Sequence, residues 1–224
     1  MKCLYNIVFV IIYLSTSTAI AQSISSYVPK KIEKSEKYLF YLHGAVVTIF
    51  GNNAINQSMH EWGPYEYRNI LDSLRSRGFN IISENRKEGI DDSLYVGKLS
   101  KQVDSLFKAG VKAKNIMVVG ASAGSNIALH LSSKLKNDKI NYVVMGGCWP
   151  NTYKDYLNIE LYGHFLSIIE SSDPHGTCSK IYEGRKKIKT YKEITLNTGL
   201  SHGFIYKGYN EWIDPILKWF TGKK

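Results

Sequence analysis

The chain is poor in cysteine, with three in 224 residues, and Cys3 falls inside a leader-like segment, so a disulfide-dense scaffold is excluded. No apolar run reaches the roughly 20 residues that a bilayer span requires. Internal repeats and low-complexity tracts are missing too, which leaves no sign of a solenoid or of a linker between domains. There is no G-x-x-x-x-G-K-[ST] loop, no G-x-G-x-x-G after the first predicted strand, and no His or Cys pair at metal-ligand spacing. No cofactor and no metal are therefore expected. Acidic residues are outnumbered, 19 against 29 Lys and Arg, for a net charge of +10. That charge alone is weak support for a nucleic-acid partner, and none is expected.

The rest of the composition, 44% apolar and 21% charged, is that of an ordinary globular chain. Residues 1–21 read as a signal peptide: Lys2, an apolar stretch from Leu4 to Leu14, then Ala19-Ile20-Ala21 as a small-x-small cleavage site. The expected mature chain, residues 22–224, begins at Gln22 and has the length of one domain. It is expected to be exported, periplasmic or secreted, without stable membrane insertion after cleavage. Cys148 and Cys178 are then the cysteines left, in an oxidising compartment where they could pair.

After a polar, Lys-rich lead-in at 23–37, apolar runs alternate with helical patterns. The run 38–42 reads as a buried strand stopping at His43-Gly44. Residues 65–77, with Ile70, Leu71 and Leu74 at helical spacing, end at Gly78 and give way to a strand at 79–83. Val96, Leu99, Val103, Leu106 and Phe107 mark a second amphipathic helix, followed by a strand at 116–119. Beyond Gly124 come a helix through Leu135, strands at 142–145, 165–169 and 193–196, and a closing helix at 210–220. Strands alternating with helices predict an α/β fold, a doubly wound, mainly parallel sheet of about six strands.

Chemistry enters at Gly120-Ala121-Ser122-Ala123-Gly124, a G-x-S-x-G between a strand and a helix. Two glycines permit a sharp strand-to-helix turn that presents the Ser122 hydroxyl at the carboxyl edge of the sheet. A serine hydroxyl needs a base, itself oriented by a carboxylate. Among six histidines, His202 lies in a glycine-flanked loop just past the last strand, whereas His43, His60, His130, His164 and His175 read as structural or surface residues. Asp173 follows the strand at 165–169 and so shares that edge; Glu170, nearer the strand end, is its rival. An oxyanion would need donors, for which Ala123 N–H and Ala45 N–H are the candidates, the latter after a Gly44 expected to take unusual backbone angles.

With Ser122, Asp173 and His202 in that chain order, residues 38–219 resemble the α/β-hydrolase superfamily. The resemblance implies a small, lidless serine hydrolase acting on an ester or related acyl substrate. It also implies that neighbouring strands bring the loops of Cys148 and Cys178 together as a disulfide. The antiparallel hairpin that usually opens the fold is absent or reduced here, and residues 146–164 leave no room for a cap domain. Trp62, Tyr65, Trp149, Tyr153 and Tyr156 are expected either to line an apolar acyl site or to pack beneath their loops. Arg185, Lys186, Lys187 and Lys189 read as a solvated helix face or, alternatively, a site for acidic glycans or membrane surfaces. A catalytically silent binding protein of the same fold is the alternative function.

Overall fold

The computed structural model describes residues 22–222; the signal peptide expected at 1–21 lies outside the described residues. Seven strands form one sheet, β1 (Ile24–Ser25), β2 (Lys37–Leu42), β3 (Phe79–Ile82), β4 (Ile116–Ala121), β5 (Asn141–Met145), β6 (Gly163–Glu170) and β7 (Ile188–Leu196). Their spatial order is 1-3-2-4-5-6-7, and every pairing is parallel. Parallel strands need crossovers, and the crossover helices cover both faces. Both sides of β4 are accordingly buried, which explains its unbroken apolar run.

Side chains alternate between the faces with period two. Tyr38, Phe40 and Leu42 of β2 join the core beneath α4 (Asp92–Lys108) and α5 (Ala123–Leu135). Leu39 and Tyr41 join the opposite core, beneath α3 (Tyr67–Ser76) and α7 (Asn210–Phe220). Among the described residues there are also three shorter α-helices, α1 (Ala45–Phe50), α2 (Asn52–Asn56) and α6 (Ser179–Tyr182). Among the described residues no helix is long and apolar enough to cross a membrane.

The structure corrects three expectations. The sheet has a seventh strand, because Ile24–Ser25 within the lead-in pairs along the edge of β3, aided by Ser23 hydrogen bonds to the Asn80 side chain. Helix α5 starts at Ala123, so the sharp turn is made at Ser122 alone and Gly124 already lies inside the helix. Residues 185–189 are no helix face: α6 ends at Tyr182, and Arg185 turns inward to donate to the backbone carbonyls of Tyr156, Ile159 and Ile181.

Strands β5 and β6 are neighbours, and the loops leaving their carboxyl ends are joined by a disulfide between Cys148 and Cys178, both fully buried, with Cα atoms 4.9 Å apart. The bridge closes a loop of 30 sequence steps, for which chain entropy gives about 3 to 4 kcal/mol. Alkylation of denatured, unreduced protein should therefore modify neither cysteine, and Cys178→Ser should lower the free energy of unfolding, read by urea denaturation, by an amount of that order.

Candidate active site

One residue separates β4 from α5. Ser122 takes φ 52° and ψ −120°, a left-handed conformation costing about 1 to 3 kcal/mol that persists only where its surroundings enforce it. The enforcement is steric and polar. A Cβ on Gly124 would lie 2.0 Å from the Leu42 carbonyl oxygen, and one on Gly120 would lie 2.5 Å from the Gly124 oxygen, so the turn closes only with glycine at both positions. Ser122 N–H donates to Met145 O at 2.8 Å, and the Ser125 hydroxyl donates to Gly120 O and Met145 O. These bonds pin the start of α5 to the ends of β4 and β5.

Ala45 and Ala123 are the first residues of α1 and α5, where backbone N–H groups have no partner within the helix. Because β2 and β4 are adjacent, these two helix starts lie side by side. Gly44 departs from expectation: its φ of −71° and ψ of 171° are open to any residue. Glycine is favoured by proximity instead, since a Cβ there would sit 3.3 Å from Ser122 Cβ.

His43 holds this loop from below. Its Nε2 accepts from Arg86 N–H at 2.9 Å, so Nδ1 carries the proton and donates to Gly44 O at 2.9 Å. In a trans peptide the carbonyl and the following N–H point in opposite directions, so fixing Gly44 O toward His43 turns Ala45 N–H the other way. Burial, reinforced by the Arg86 charge, pushes the His43 pKa down from 6.5 to about 4. Between those two values the unfolded chain binds a proton that the folded chain does not, so stability is full above pH 6.5 and falls as pH drops through the window. From pH 7 to pH 5 this group should remove about 2 kcal/mol. Urea denaturation at the two pH values checks it, and His43→Gln should flatten that part of the slope.

Beyond β6, Asp173 sits on a loop whose first turn is closed by Asp173 N–H donating to Glu170 O at 2.9 Å. Beyond β7, His202 lies in a short 3-10 turn, Ser201–Ile205. The two loops meet: His202 Nδ1 donates to Asp173 Oδ2 at 2.7 Å, with the Asp173 side chain only 2% exposed. Burial alone would raise the Asp173 pKa. The His202 hydrogen bond and charge, with two hydrogen bonds from His175, outweigh it and hold the carboxyl below its ordinary value. Glu170 is placed differently. Its carboxylate accepts from the Thr198 backbone and hydroxyl at 3.0 and 2.7 Å and from Gly199 N–H at 3.3 Å, clamping the two loops together.

Gly146 adjoins both His202 and the Ser122 turn. Its N–H follows the Met145 carbonyl that Ser122 binds, and a Cβ on it would be 3.1 Å from His202 Cε1. Among the described residues Ser122 Oγ makes no hydrogen bond to His202. Such contacts often tighten only when a substrate is seated.

The other histidines also find their places. His175, expected to be a structural or surface residue, donates from its backbone N–H and from Nδ1 to Asp173 Oδ1, at 3.1 and 2.5 Å. Its ring stacks on that of His202, centroids 4.5 Å apart and planes 25° from parallel. The signal for it was the Asp-Pro-His turn, in which an aspartate commonly caps the N–H two residues on. Of the aromatic residues expected near the site, Trp62 packs edge-on against His202 at 5.9 Å and Trp149 against His175 at 4.7 Å. Tyr65 and Tyr156 belong to the core, Tyr65 fully buried and hydrogen-bonded to the Tyr41 hydroxyl. The Tyr153 hydroxyl donates to Thr177 O, anchoring the loop that carries Asp173.

No protein-family model matches the chain, and no curated protein does. Solved structures do. Esterase B from Lactobacillus rhamnosis superposes with a TM-score of 0.59 at 14% identity, over 88% of this chain and 78% of that one. A dienelactone hydrolase from Anabaena variabilis gives 0.54 at 15%, over 85% and 88%. Est1E from Butyrivibrio proteoclasticus, solved with ferulic acid bound, gives 0.54 at 12%, over 87% and 92%. The chain has the α/β-hydrolase fold.

Proposed function

We propose that the chain is a serine hydrolase that cleaves a small-molecule ester through a Ser122–His202–Asp173 triad. The observation that carries this reading is the strained Ser122, set beside two helix starts and next to a Gly146 that also adjoins His202, itself bonded to a buried Asp173. In that mechanism Ser122 Oγ attacks the ester carbonyl while His202 Nε2 takes its proton, and Asp173 stabilises the imidazolium. The carbonyl oxygen, now anionic, is received by Ala45 and Ala123 N–H. Collapse expels the alcohol, protonated by His202, and leaves an acyl-enzyme. Water, deprotonated by His202, then attacks the acyl carbonyl; the carboxylic acid leaves as the C–O bond to Ser122 breaks and His202 returns the proton to Ser122 Oγ.

Trp62 and Trp149 flank the histidines and form the walls against which an acyl or alcohol group would rest. Esterase B, a protein of the same fold, was solved with a tributyrin phosphonate inhibitor, which supports an ester as the substrate class. The buried disulfide fits an oxidising compartment and so supports export to the periplasm or beyond. Fluorophosphonate labelling tests the function: stoichiometric covalent capture at Ser122 is expected, together with turnover of an ester panel of graded acyl length. A folded chain that resists the label and turns over no ester would be the silent binding protein instead.

A further inference from the structure

We propose that Asp173, His175 and His202 form a binding site for a divalent transition cation of the zinc class, and that its occupation switches the enzyme off. The site is read from the side chains alone; only the switch rests on the hydrolase reading above. One ligand atom from each of the three residues lies within 4.8 Å of the other two. A carboxylate with two imidazoles is a mixed oxygen and nitrogen set that suits zinc, cobalt, nickel or copper, and is a poor match for calcium or magnesium.

The set is preorganised. Asp173 is held by the turn from Glu170, and its loop is pinned five residues on by the disulfide at Cys178. Both rings already direct Nδ1 at the same carboxylate, at 2.7 Å for His202 and 2.5 Å for His175, and they are stacked on each other. His202 meets Oδ2 and His175 meets Oδ1, so an ion entering between the rings and the carboxylate would replace both Nδ1–H···O bonds, and the three ligand atoms, already within 4.8 Å of one another, have only to close around it. Both rings reach solvent in part, their side chains being 24% and 13% exposed for His175 and His202 against 2% for Asp173.

The effect on the base follows from the tautomer. In the free site the His202 proton lies on Nδ1, toward Asp173, and Nε2 is open to receive the Ser122 proton. A cation bound at Nδ1 moves that proton to Nε2, on the same ring, with no net proton release and no change of oxidation state. The ring is then a donor where the mechanism needs an acceptor, so turnover stops although the nucleophile and oxyanion donors are untouched.

The test uses untagged mature Ser122→Ala protein titrated with Co²⁺ alone, read by the visible absorption of the bound ion. Saturable one-to-one binding is expected, weakened tenfold or more by His175→Gln and by Asp173→Asn, and unchanged by His60→Gln. In active protein, Zn²⁺ should abolish ester turnover, and a chelator should restore it. Cobalt bands that ignore His175→Gln, or fail to appear in a folded chain, overturn the site. Turnover that persists when Zn²⁺ saturates the site overturns the switch. Residue-dependent cobalt binding in a chain that no fluorophosphonate labels would leave the site standing and remove the hydrolase reading instead.

Discussion

Replacing Ser122 with alanine is expected to lower kcat on a short activated ester by about 10³-fold or more while the protein stays folded. On the proposed mechanism the loss is chemical, because alanine removes the hydroxyl that would form the acyl-enzyme. Folding should survive because the bond that fixes the turn is the backbone one, Ser122 N–H to Met145 O, and the two enforcing glycines remain. His202→Ala should cost a similar factor, since an unactivated hydroxyl is a poor nucleophile at neutral pH. The double mutant should be little worse than either single, as residues acting as one unit are not additive. Steady-state rates read beside the melting curve of each variant decide it, and unchanged turnover in Ser122→Ala would remove the mechanism.

Much of this frame is legible in the residues because the sheet is parallel and buried on both sides. Runs such as Ile116 to Val119 must then be apolar throughout, and each ends at the carboxyl edge where chemistry collects. Ser122, Asp173 and His202 could be placed on that edge for this reason. Elements without a pattern of their own were not legible. Ile24–Ser25 is a strand only because β3 offers an edge. The six residues of α1 contain two valines, a threonine and an isoleucine, β-branched types that favour strands; the helix forms because Val47 is buried beneath it.

His175 escaped for a related reason. Nothing in its spacing from Asp173 matches a known ligand pattern, and its meeting with His202 depends on two loops that Glu170 ties together. Glu170 itself shows how position can mislead. Its place at the end of β6 made it a rival acid, yet that place aims its carboxylate at Thr198 and Gly199.

The contrast between the two carboxylates gives the second large effect. Asp173→Asn is expected to lower kcat by about 10³- to 10⁴-fold, while Glu170→Gln should keep kcat within a few fold and cost about 1 to 3 kcal/mol of stability. Asp173 accepts from two rings at once, His202 on Oδ2 and His175 on Oδ1. An asparagine has one acceptor and one donor, so only one ring can keep its Nδ1–H bond. If the amide oxygen stays with His175, the amide N–H faces His202 Nδ1 and drives the proton to Nε2, where the base can no longer act. Glu170→Gln leaves the ring untouched but removes a charged acceptor from Thr198 and Gly199, so the effect appears in folding. Hydrogen bonds from those residues and Ser172 hold the Glu170 pKa below its ordinary value against the opposing effect of burial. Its stabilisation is therefore present above the unfolded pKa and lost as pH falls through the lower, folded one, and Glu170→Gln should be less sensitive to acid than the parent. Rates and urea midpoints measured on both variants separate the roles; a greater loss of kcat in Glu170→Gln than in Asp173→Asn would move the acid to Glu170.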